Sequence, residues 1–236
     1  VAMIKLFQFP NAKDFPNYSP FCAKLEAYLK FSGLEYESIA TMNLKNSPTK
    51  TFPYVELDNK LVGDSNLIID ELIQVHGDLV DNWLTKEQRI VGDGVKSILE
   101  NDFVRYVIYY RWIDPVGLPQ FFDRVFARSH KLVKLVVGGL LAKRVGKKLG
   151  GFNGVMNYTS AQRLILAAKS LDTVNAILGD KEYLFGDKPS SYDAILFGIF
   201  GTLALTDIEM DLKCLSLKYP TLVGHSQNIL NKYFIK

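Results

Sequence analysis

The rhythm of apolar and polar positions changes once along this chain. Up to about residue 76, short apolar runs alternate with a helical period. Met3 to Phe9 has strand character, with Ile4, Leu6, Phe7 and Phe9 in one run. Ser19 to Phe31 places Phe21, Leu25 and Tyr28 or Leu29 on one helical face, and Gly33 stands where a helix C-cap is expected. Tyr36 to Met42 is a second strand, Asn43 to Lys50 is polar and broken by Pro48, and the runs Tyr54 to Leu57 and Lys60 to Val62 flank an Asp58-Asn59 turn. A helix from Ser65 to about Val75 follows. Right-handed crossover predicts that the first two strands are parallel, and the hairpin makes the last two antiparallel.

From Thr85 onward strand signals fade and helical spacing takes over. His76 to Leu84, with Gly77 and several acidic residues, reads as a linker, so the expected organisation is an α/β domain over residues 1–78 and an all-α domain over 85–236. The cleanest later helix runs from Thr159 to Leu178, where Leu164, Ala167 or Ala168, Leu171, Val174 and Leu178 recur at helical spacing. Ser190, three residues before Asp193, has the form of a capping box. The residues after it, Ala194 to Phe200, are apolar nearly all round, which predicts a buried central helix. Gly198, Gly201 and Asp207 leave this run too short for a membrane span.

Composition narrows the class. A chain of 236 residues with 48% hydrophobic and 22% charged residues can bury a sizeable core. A net charge of +3 is too small to argue for a nucleic-acid partner, and the aromatic residues read as core and cleft lining. Cys22 and Cys214 are far apart and lack zinc-type spacing, while His76, His130 and His225 are isolated, so no metal is expected. No signal-peptide pattern opens the chain, and a reducing, cytoplasmic location is the expectation. Arg124 to Lys148 is basic and amphipathic, with no Asp or Glu. It reads as helices with an apolar face packed inward and a solvated basic face; association with an anionic membrane is the less favoured alternative.

The candidate chemistry starts at Tyr18-Ser19-Pro20-Phe21-Cys22. Ser19 is a suitable N-cap and Pro20 suits the first helical position. The free N–H groups and dipole of such a helix start favour a bound anion such as a thiolate. An ordinary thiol is only roughly 3% ionised at pH 7, and lowering its pKa by two units takes about 2.7 kcal/mol. Cys22, on the same helix, reads chiefly as a small apolar packer. By themselves these residues also describe an ordinary helix start.

Two later fragments add to this one: Thr51-Phe52-Pro53-Tyr54-Val55-Glu56-Leu57 and Gly63-Asp64-Ser65-Asn66-Leu67-Ile68-Ile69. At these three places the chain resembles the glutathione transferase family, with a thioredoxin-like N-terminal domain and an all-helical C-terminal one. Together with Ser47 to Ile69 and Leu178 to Pro189, the Ser-Pro-Phe-Cys opening is similar to the failed-axon-connections and metaxin-like branch. The resemblance implies a glutathione-binding N-terminal domain, with glutathione as co-substrate and no other cofactor. It also implies a homodimer and a small electrophilic, largely apolar acceptor. Ser19 is the first choice to stabilise the thiolate and Tyr18 the second. The backbone of Phe52, ahead of a cis bond to Pro53, would hold the cysteine backbone. Asp64 and Ser65 would bind the γ-glutamyl end, and Lys50, preferred to Lys45, the glycine carboxylate. The same resemblance admits a non-enzymatic interaction or membrane-associated adaptor. A glutathione-dependent thiol reductase is the third reading, against which Ser19 stands where such an enzyme needs cysteine.

Overall fold

Alternation along β1 (Ile4–Gln8) turns Ile4, Leu6 and Gln8 to the interior. The computed structural model describes residues 3–127, 131–151 and 154–235, without the side chains of 131–138 and 141. Arg128 and His130 lie outside the described residues, as do the side chains of Lys131 and Lys134 and most apolar positions of the basic stretch. β1 pairs in parallel with β2 (Tyr36–Ala40), Ile4 facing Tyr36, and antiparallel with β3 (Tyr54–Leu57). β4 (Lys60–Gly63) completes a mixed sheet of order β2-β1-β3-β4. The pairing directions match those read from the sequence. Asp58 and Asn59 both take positive φ, 48° and 66°, as a two-residue hairpin of the primed type requires.

α1 (Pro20–Ser32) makes the crossover between β1 and β2 and ends at Gly33 with φ 69°, a left-handed cap open to glycine at little cost. Its Leu25, Tyr28 and Leu29 are buried, each contributing about 1.5–3 kcal/mol for an aliphatic or aromatic side chain taken from water. α2 (Ser65–His76) follows β4 and leads through residues 77–84 into the helical half. Val80, Asp81 and Leu84 in that connection are buried, so it is packed rather than loose.

α3 (Lys86–Ser97) continues through a π-helical turn, Ile98–Phe103, into α4 (Val104–Trp112). The aromatic run Phe103 to Trp112 is mostly core, with Phe103, Tyr106, Val107, Tyr110 and Arg111 buried. α5 (Gly117–Val125), α6 (Lys131–Leu149) and α7 (Ser160–Leu178) come next. Lys143, Arg144, Lys147 and Lys148 are exposed along α6. α8 (Ser191–Leu196) passes through a second π-helical turn, Phe197–Gly201, into α9 (Thr202–Ala204), then α10 (Asp211–Ser216) and α11 (Pro220–Tyr233). The capping box expected at α8 is present, and its Asp193 carboxylate also accepts from Leu184 N–H at 2.8 Å and pairs with His225 Nε2 at 2.9 Å.

The stretch from Tyr192 to Ala204 is buried at every residue and forms the centre of the helical half. α1 lies directly on it. A Cβ at Gly198 would come within 2.5 Å of the Pro20 carbonyl oxygen, so the missing side chain is what lets the start of α1 approach. Among the described residues, no helix is long and apolar enough to cross a membrane.

Candidate functional site

The loop before α1 is folded back by Asn17, whose Nδ2 donates to the Phe9 carbonyl at 2.8 Å and whose Oδ1 accepts from the Ser19 N–H at 3.0 Å. Ser19 is the N-cap, extended at φ −80° and ψ 122°, and its Oγ accepts from Cys22 N–H at 3.4 Å. Pro20 occupies the first turn as the sequence predicts.

Its two neighbours point elsewhere. Tyr18 is buried and its hydroxyl donates to Asp207 Oδ1 at 2.7 Å, rather than turning to the start of α1. Burial first, and then the Asp207 carboxylate, push that phenol up to about 12. Cys22 is fully buried against Phe52 and Tyr54, and burial drives its thiol up to about 12 in spite of the Ser19 contact. The apolar-packer reading therefore holds for Cys22. The helix dipole does not make this thiol reactive, because removal from water costs the thiolate more than the dipole returns.

The second segment lies before β3. The Phe52-Pro53 bond is cis. Ser47 fastens the loop ahead of it, its Oγ donating to the Thr51 carbonyl at 2.7 Å and accepting from Thr51 N–H at 3.2 Å. Lys50 has φ 56° and turns its ammonium to the Lys45 carbonyl at 2.9 Å. The Phe52 ring meets Phe9 edge-on at 4.7 Å.

At the start of α2 the cap is Asp64. Its Oδ1 accepts from Asn66 N–H at 2.8 Å and from Leu67 N–H at 3.4 Å, with φ 71°. Ser65 is the first helical residue and is buried. Beneath them Lys24 Nζ donates to Asn66 Oδ1 and to Glu100 Oε1, both at 2.6 Å, while Asn66 Nδ2 donates to Glu100 Oε2 at 3.0 Å. Burial lowers the Lys24 pKa and the adjacent Glu100 opposes that shift. This closed triad ties α1, α2 and the first π-helical turn together.

Two cavities border these segments. One, of about 420 Å³, is lined by Lys50, Thr51, Phe52, Pro53, Asp64, Ser65 and Asn66, and it gathers the expected glutathione-end residues in one cleft. The other, of about 220 Å³, is lined by Ser19 and Tyr18 together with Val107, Ile108, Arg111, Trp112, Phe121, Val125 and Val145. Phe9 and Phe21 are in the walls of both. The sequence reading missed Arg111, Asn66 and Phe9. A lone arginine inside Tyr106-Val107-Ile108-Tyr109-Tyr110-Arg111-Trp112 was a signal available for the first.

Comparison with known proteins agrees with this fold. The family profile for the glutathione S-transferase N-terminal domain matches residues 20–117, and that for the glutathione S-transferase C-terminal domain matches 167–229, together more than half of the chain. The chain belongs to the glutathione S-transferase superfamily. Failed axon connections of Drosophila melanogaster is 27% identical over 245 residues, an alignment that takes in 98% of this chain and 58% of that one. The chain thus spans little more than half the length of this relative. The isoprene-epoxide glutathione S-transferase of Rhodococcus sp. strain AD45 is 29% identical over 245 residues, covering 99% of this chain and 100% of that one. Among solved structures, glutathione transferase GSTFuA3 from Phanerochaete chrysosporium superposes with a TM-score of 0.67 at 16% identity, covering 100% of this chain and 99% of that one, which is a likeness of fold.

Proposed function

We propose that this superfamily member is an active glutathione transferase, holding glutathione in the larger cleft and directing its thiolate at an apolar electrophile in the smaller cavity. The observation that carries the reading is the meeting at Phe9 and Phe21 of a cleft that holds Lys50, Asp64, Ser65 and Asn66 with a more apolar cavity, Ser19 standing in the wall of the second at the positive end of α1. Ser19 Oγ accepts one hydrogen bond from the Cys22 N–H, and its O–H, which lies against the Cys22 thiol, turns to donate to the glutathione sulfur. Tyr18, engaged with Asp207, stands second for that role. The Phe52 backbone, beside Pro53, holds the cysteine backbone. Ser65 and the N-terminus of α2 take the γ-glutamyl carboxylate, and Asp64 Oδ2 takes its ammonium. Lys50, released from the Lys45 carbonyl, pairs with the glycine carboxylate.

The thiolate then attacks an electrophilic carbon. A C–S bond forms while the carbon's bond to a leaving group breaks. For an epoxide, the substrate class named for the Rhodococcus relative, the bond that breaks is a ring C–O, and the resulting alkoxide takes a proton from water. We place the chain in the cytoplasm as a homodimer; a light-scattering mass near the single-chain 26.7 kDa would exclude the dimer.

The second reading is an adaptor without turnover, favoured by the similarity to Failed axon connections. Calorimetric titration with reduced glutathione separates the two. Binding is expected, and no heat at millimolar ligand would favour the adaptor. A reductase working through a mixed disulfide fits less well, since Cys22 is buried and held protonated.

A further inference from the structure

The smaller cavity has a charged side chain in its wall whose partners are all neutral, the Phe121 ring among them with its centroid 5.8 Å from the guanidinium carbon of Arg111. Arg111 lines it and is only 2% exposed. Its Nη1 donates to the Tyr18 carbonyl at 2.6 Å and its Nη2 to the Thr202 carbonyl, both neutral partners. Its Nε is buried and has no hydrogen-bond partner among the described residues. No described carboxylate pairs with it. Asp207, the partner of the Tyr18 hydroxyl, also accepts from Arg124 Nε at 2.8 Å. The titratable group that does act on Arg111 is the Tyr18 phenol, which is neutral at pH 7. Burial brings the guanidinium down to about 10, so it remains charged at that pH. Phe9, Val107, Ile108, Trp112 and Phe121 surround the cavity with apolar surface, and a field in such a space is weakly screened.

We propose that this cavity takes a small apolar electrophile bearing a carboxylate, with Arg111 as the residue that selects for the negative charge. The inference rests on the transferase reading for the reaction that follows and on the cavity alone for the binding. A buried cation without a counter-ion gains from an incoming anion what its folding left unsatisfied. Two neutral carbonyls occupy only part of a guanidinium's five N–H donors. At about 220 Å³ the space is smaller than the roughly 300–1,000 Å³ of common ligand sites, which limits the acceptor to a body of about one ring or a short branched chain.

The test uses two unreactive probes of equal shape, 3-phenylpropanoate and its neutral primary amide, titrated calorimetrically at pH 7 with and without glutathione. The acid is expected to bind at least about tenfold more tightly than the amide, in both conditions. Arg111→Met should erase that preference, and Arg111→Lys, which keeps the charge, should retain it. Ile108→Trp, which fills the cavity, should abolish binding of both probes. Equal affinity of acid and amide for the unsubstituted protein, no binding of the acid at millimolar concentration, or acid binding that survives Ile108→Trp would each overturn the proposal. If Arg111→Met does not fold, the acid–amide comparison and the cavity-filling variant still decide. Because neither probe needs glutathione, loss of glutathione binding alone sinks the transferase reading and leaves the anion site standing; loss of acid selectivity alone does the reverse.

Discussion

The two cavities that meet at Phe9 and Phe21 are built in opposite ways. Most of the larger cleft comes from one stretch, residues 44–66, and its fixed features are a cis Phe52-Pro53 bond, a capped helix start and a loop tied by Ser47. The apolar cavity draws its wall from residues 9–21, 107–125 and 145, so it exists only because α4, α5 and α6 pack beside the loop before α1. A backbone-built cleft keeps its shape when side chains change, whereas a side-chain-built cavity changes with every substitution. On the function proposed above, recognition of the shared thiol would belong to the first, and choice of acceptor to the second.

The support beneath the larger cleft is where the contrast breaks most easily. Glu100→Ala leaves Lys24, which is fully buried, without its counter-ion, and should cost about 3–5 kcal/mol in urea unfolding. A loss below about 1 kcal/mol would show that the triad does not hold α1 against α2. Ser19→Ala comes next. If the serine hydroxyl accounts for most of a two-unit lowering of the thiol pKa, conjugation near pH 6.5 should slow about 50-fold, equivalent to about 2.3 kcal/mol, with glutathione affinity largely unchanged. Equal rates in the two proteins would remove Ser19 from the chemistry.

Ser65→Ala tests the cleft side directly. Loss of a hydrogen bond to a carboxylate should weaken glutathione binding by about 1.5 kcal/mol, or roughly tenfold, read by calorimetry. Undiminished affinity would move the γ-glutamyl end elsewhere. The smallest effect is expected at Tyr18→Phe, which removes the bond to Asp207 and should lower stability by about 1 kcal/mol while leaving conjugation intact. A slowing as large as that for Ser19→Ala would transfer the thiolate role to Tyr18 and make the loop, rather than the helix start, the catalytic edge of the apolar cavity.

What the sequence determined by itself is whatever depends on a few neighbouring residues. The β1-α1-β2 unit, the hairpin at Asp58-Asn59, the Gly33 cap and the Ser190–Asp193 capping box were legible because strand alternation, helical spacing and cap chemistry act over one or two turns of chain. The cis Phe52-Pro53 bond was legible only through family resemblance, since an X-Pro pair alone favours trans. Tertiary structure decided which polar groups meet. Tyr18 finds Asp207 at a separation of 189 residues, and Lys24 finds Glu100 at 76. Cys22 becomes inert because Phe52 and Tyr54 close over it. Arg111 reads as one more charge on a helix until packing removes its water and sets it in the wall of an apolar cavity. Local propensity acts along the chain, but solvent exclusion and charge pairing act through space, and a buried charge takes its meaning from the partners that packing brings or fails to bring.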